Sequence, residues 1–192
     1  MALRADVERT SQALAESLFE TFKRVGLTVA FSLRHDFPDA WRMLVTSPAG
    51  TVVTLSLAER HLPAAIADWL GARALSTAKV VVAPGGAPVN VKLVTQPSGT
   101  PLQTLPQIVA WVSAGARPNP LPDALAFAAG ADGLYAAPVS GTATLQGLRA
   151  TAAIGLRLDQ AGDLAPAAAT GLTLDESKLR DVVLSVTFTI AS

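Results

Sequence analysis

Leu27-Thr28-Val29-Ala30-Phe31-Ser32-Leu33-Arg34 sets Leu27, Val29, Phe31 and Leu33 against Thr28, Ala30, Ser32 and Arg34. A period of two with one face more apolar than the other belongs to a half-buried β-strand. The same alternation closes the chain. Val182, Leu184, Val186, Phe188 and Ile190 oppose Val183, Ser185, Thr187 and Thr189. Two strands of this kind, one early and one at the far end, predict an antiparallel architecture with one covered face.

Outward from the first strand, Ala5 to Arg24 follows a different period. Val7, Leu14, Leu18, Phe22 and Val25 recur near 3.6 residues, with Glu8, Arg9, Glu16, Glu20 and Lys23 between them. Asp6 at the start, Lys23-Arg24 at the end and Gly26 beyond them suit the two ends of an amphipathic helix. The expected organisation is this helix over residues 1–25 and a β-sandwich domain over residues 26–192. An isolated helix of about 20 residues gains little from propensity alone. Its stripe is therefore expected either to pack on the β domain or to join copies of the chain into a homo-oligomer.

Downstream, Asp36-Phe37-Pro38-Asp39 is expected to end the first strand, and Pro38 to open a short helix through Trp41 and Leu44. Ser47-Pro48-Ala49-Gly50 has turn chemistry, and Thr51 to Leu57 is a second strand with Val53, Leu55 and Leu57 on one face. A short helix over residues 62–70 follows, with Pro63 in its first turn. Residues 77–83 and 89–95 read as a hairpin around Pro84-Gly85-Gly86-Ala87-Pro88. Residues 96–123 form a long connection holding one element, Ile108 to Val112. Strand character returns at residues 124–128, 134–145, 148–158 and 182–190. Many short strands between Gly/Pro turns predict a mainly β antiparallel sandwich with short helices after strands.

Composition narrows the function classes. Half of the 192 residues are hydrophobic and 16% are charged, which excludes a disordered tail. Fifteen basic residues balance fifteen acidic ones, so no global basic footprint for nucleic acid is expected. With no cysteine, disulfides and thiolate chemistry are excluded. Apolar runs are too short and too interrupted for a membrane-spanning helix, and Met1-Ala2-Leu3-Arg4-Ala5-Asp6 does not open a signal peptide. A soluble chain is expected.

Catalytic constellations are missing from the pattern. The two histidines, His35 and His61, have no third ligand at metal-binding spacing. No G-x-S-x-G elbow occurs, and Ala83-Pro84-Gly85-Gly86-Ala87 lacks the lysine of a phosphate loop. No catalytic residue, metal site or cofactor is expected, and the two histidines are assigned structural or surface roles. Trp41 and Trp69 sit on short helical faces suited to core packing. Trp111 and Tyr135 fall in or near irregular segments and are the candidate binding surface, where a glycan or host receptor would stack on an exposed ring.

One motif is more specific. Phe31-Ser32-Leu33-Arg34-His35-Asp36-Phe37-Pro38-Asp39-Ala40-Trp41 resembles a stretch near the C-terminus of the A components of insecticidal toxin complexes (Tc toxins). Thr51 to Leu57 followed by Glu59-Arg60-His61-Leu62-Pro63 stands where that family has its next strand and a proline-containing element. The ending, Leu179-Arg180-Asp181-Val182-Val183-Leu184-Ser185-Val186-Thr187-Phe188, is similar to the family's last strand. The resemblance implies a non-catalytic β-sheet module that docks onto a protein partner within a larger toxin-like assembly, released or secreted with it. Pore formation does not carry over, because no channel-forming segment is present. Arg34, His35, Asp36, Phe37, Pro38, Asp39 and Trp41 are the motif residues. They are expected to fix a strand-to-helix corner, with Arg34 paired to Asp36 or Asp39.

Overall fold

A computed structural model describes residues 27–57, 89–95, 101–113, 117–139, 152–167 and 171–188, together with positions 13, 14, 17 and 21. Those four positions are helical, and Leu14 among them is 62% exposed. The rest of the expected N-terminal helix, the helix over 62–70 and the strand over 77–83 lie outside the described residues.

Strand β1 spans Leu27–Ser32, followed by a one-turn helix α1, Leu33–Asp36, and a longer helix α2, Pro38–Thr46. Then come β2 (Val52–Leu57), β3 (Val89–Thr95), β4 (Gln107–Ser113), β5 (Ala128–Ala129), β6 (Tyr135–Val139) and β7 (Ala152–Gln160). A 3₁₀ turn at Gly162–Leu164 precedes the final strand β8, Leu179–Phe188.

The strands form two antiparallel sheets among the described residues, one ordered β1-β8-β3-β6-β5 and the other β2-β7-β4. The last strand therefore sits beside the first, and a row of buried side chains crosses four strands. Phe31 lies opposite Leu184, Leu184 opposite Val91, and Val91 opposite Ala137. In the second sheet Val53, Leu156 and Ala110 make the equivalent row. Side chains of both sheets meet in one hydrophobic core, joined by Trp41, Leu44 and Val45 of α2. Each such buried side chain contributes about 1.5–3 kcal/mol of transfer free energy.

β3 was expected to pair within a hairpin with the strand before it. Its two edges instead carry β6 and β8, so its described partners lie far along the chain. The first strand also ends earlier than its alternation suggests. Leu33 continues the buried face, but in helical conformation, and the break comes at Ser32 rather than at Asp36. Hydrogen bonds from elsewhere in the chain explain this.

Candidate functional site

The corner between β1 and α2 holds all the motif residues, and Ser32 starts it. Its hydroxyl accepts the His35 backbone N–H at 3.0 Å, and its own N–H donates to Asp36 Oδ2 at 2.8 Å. This is a reciprocal cap, with the carboxylate one residue further on than in the common capping box. The Ser32 hydroxyl donates in turn to Asp181 Oδ2 at 2.5 Å. Asp181 Oδ1 takes the backbone N–H groups of Arg34 (3.2 Å) and Val182 (2.8 Å). A buried carboxylate in β8 thus satisfies donors at the start of α1 that would otherwise be orphaned, and the strand gives way to helix at that point.

The aromatic half of the corner is tied down by the same stretch, at the head of β8 and the turn before it. Trp41 is buried in the core, yet its indole N–H donates to Glu176 Oε1 at 3.2 Å. The Arg34 guanidinium lies 5.6 Å from the Trp41 ring centroid, donates from Nη1 to the Arg180 carbonyl at 3.2 Å, and has Glu176 Oε2 3.9 Å from Nη2. Phe37 is half-buried and meets Phe31 edge-on, with centroids 6.3 Å apart.

The expected ion pair is therefore corrected. Arg34 turns to Glu176, Asp36 caps Ser32, and exposed Asp39 lies 3.6 Å from Arg42 one turn along α2. Local spacing favoured Asp36 or Asp39, but both carboxylates have nearer donors. Pro38 stands in the first turn of α2, as expected. His35 is exposed, and its backbone makes the cap. Among the described residues no group of three His, Asp or Glu side chains converges on a point where a metal ion would bind.

Trp111 and Tyr135 do not form an exposed surface. Trp111, in β4, is buried on the face of the smaller sheet opposite Ile108 and Ala110. Its indole lies directly over Gly155 of β7, where a Cβ would overlap the ring, and Arg117 covers it at 5.8 Å. Tyr135, in β6, is buried too, and its hydroxyl accepts the Leu102 N–H at 2.8 Å. Trp111 lies in the element expected over Ile108 to Val112 and Tyr135 in the strand expected over 134–145, and it is the exposure expected of their rings that is corrected, since both are buried.

Three residues that organise these places carried little sequence signal. Asp181 is an acid beside the apolar run Val182-Val183-Leu184, and Gly155 interrupts the run Ala152-Ala153-Ile154-Gly155-Leu156. Both were legible as anomalies. Glu176 had no signal at all. No family model, curated protein or solved structure matches the chain.

Proposed function

We propose that the chain is a non-catalytic interaction module, built as a β-sandwich, that docks onto a protein partner through the corner between β1 and α2. Two antiparallel sheets sharing one core support the sandwich reading. The observation that carries docking is the way the corner is fastened. One short stretch, Glu176 to Asp181, holds Ser32, Arg34 and Trp41 in place through Asp181, the Arg180 carbonyl and Glu176, while Met43 of α2 stays 43% exposed. Beside the end of α2, Thr173 donates its N–H to the Val45 carbonyl, and its neighbour Leu172 is 40% exposed. A rigid scaffold presenting apolar side chains among charged ones loses little entropy on association.

The likeness of Phe31 to Trp41 and of the last strand to Tc toxin A components suggests the partner class, the B–C component that those A components meet. Purified chain titrated with a purified toxin B–C component should bind, and Met43→Glu with Leu172→Glu should weaken binding at least tenfold. Absence of binding by the native chain would remove the toxin-complex reading. The glycan reading relied on Trp111 and Tyr135, and the burial of both rings leaves it without support. Self-association through the N-terminal helix is a separate arm of the proposal. Leu14→Glu should lower the mass measured by light scattering if that helix joins copies.

A further inference from the structure

An open cleft of about 390 Å³ lies beside the corner, lined by Arg34, His35, Val94, Arg180 and Asp181. Its size suits one side chain or one small anion. β8 is irregular beside the cleft. Val94 pairs with Asp181 and Thr95 with Leu179, so Arg180 is an extra residue in the ladder. A bulge of this kind re-aims the side chain it carries. Arg180 is exposed, and among the described residues its guanidinium makes no hydrogen bond or ion pair, whereas its carbonyl accepts from Arg34 Nη1.

That hydrogen bond brings two guanidinium-bearing residues to the same cleft and holds the first of them in position. Arg34 is oriented by Trp41 beneath it and by the Arg180 carbonyl, yet its side chain is 39% exposed and keeps donors unused. Five N–H donors in a planar fork fit a carboxylate bidentately, and prior orientation lowers the cost of binding. The lining sets two guanidinium groups against one carboxylate, Asp181, and the oxygens of the acidic groups nearby already accept hydrogen bonds or face Arg34. Asp181 accepts from Ser32, Arg34 and Val182, Asp36 accepts from Ser32, and Glu176 sits with Trp41 and Arg34. Val94 supplies an apolar wall suited to a short aliphatic stem.

We propose that this cleft receives an acidic side chain, aspartate or glutamate, of a protein partner, with Arg34 and Arg180 gripping the carboxylate and Val94 against its methylenes. The proposal rests on the docking reading and names the chemistry recognised there. The probes are acetyl-tetraglutamate amide and its glutamine counterpart, followed by NMR of the arginine side-chain N–H groups and the Val94 methyls in the full chain. The glutamate peptide should shift all three residues saturably, and the glutamine peptide should not. Arg180→Gln, at a side chain without bonds to lose among the described residues, should keep the native thermal midpoint and weaken binding by about tenfold or more.

Equal response to both peptides, or an unchanged affinity in Arg180→Gln, would overturn the proposal. So would saturation by inorganic phosphate without any response to the glutamate peptide. The two readings fail separately. Peptide binding without binding of the B–C component removes only the toxin-complex reading, and the reverse removes only the acidic-side-chain cleft.

Discussion

Among the described residues arginine stacks on tryptophan twice, Arg34 over Trp41 at 5.6 Å and Arg117 over Trp111 at 5.8 Å, on opposite principles. At the corner the indole enters the core edge and is held by what surrounds it. Its N–H reaches Glu176, 135 residues away in the chain, and its arginine is bonded to the Arg180 carbonyl. On the outer face of the smaller sheet the indole is held by what is missing. Gly155 has no side chain, so the ring lies flat against the neighbouring strand. The same residue pair thus serves a polar fastening in one place and close steric packing in the other. The first tolerates a change of shape better than a loss of partners, and the second does the reverse.

Trp41→Ala should have the largest effect, destabilising the protein by about 4 kcal/mol, because it empties a buried site and frees Glu176 and Arg34 together. Chemical denaturation would measure it, and a midpoint close to the native one would show that the corner does not need its indole. Gly155→Ala tests the other stack. An exposed glycine in ordinary strand geometry would tolerate alanine with little change, but here the new methyl meets the indole, and a loss of about 2 kcal/mol is expected. Pairing it with Trp111→Leu should recover part of that loss. No recovery in the double variant would mean that the clash lies elsewhere.

A finer test separates bond from bulk at the corner. Trp41→Phe and Glu176→Ala, combined in a double-mutant cycle, should show coupling of about 1 kcal/mol, the size of one hydrogen bond to a charged acceptor at a part-exposed site. Zero coupling would make the indole at the corner as purely steric as the one on Gly155.

The smallest effect expected is a pH dependence carried by two loop carboxylates outside both stacks. Asp163 is held below the ordinary carboxylate range by the backbone N–H groups of Thr104 and Gln103, and Asp175 by the hydroxyl and N–H of Ser177. A pKa lower in the folded than in the unfolded state adds stability at neutral pH. That contribution is lost as pH falls below about 4 and through the folded values. Asp163→Asn should flatten the acid limb of a thermal-midpoint profile, and an unchanged limb would show that the loop bonds contribute nothing.

Much of the β1 and β8 description was legible in the sequence because alternation reports burial directly. Phe31 and the run Val182, Leu184, Val186 are buried as their spacing requires. α2 was legible as well, since Pro38 has a favourable place only in the first helical turn and Trp41 and Leu44 follow at helical spacing. The site was legible only as a position in the chain. That Ser32 ends the strand, that Arg34 faces Glu176 rather than Asp36 or Asp39, and that Trp111 and Tyr135 are covered all depend on segments distant in sequence.

The sequence by itself determined the periods, two for the strands and 3.6 for α2, because these follow from backbone geometry and from which side chains avoid water. It also excluded thiol chemistry and a net basic charge, which are matters of composition alone. Only the tertiary structure decided that the last strand lies beside the first, and with it which polar groups meet. Asp181 becomes the cap of α1 across 149 residues because a buried carboxylate must find donors, and the unpaired N–H groups of a helix start supply them. Strand order carries no local signature in the chain. It is set by which arrangement buries the apolar faces while leaving no polar group unpaired.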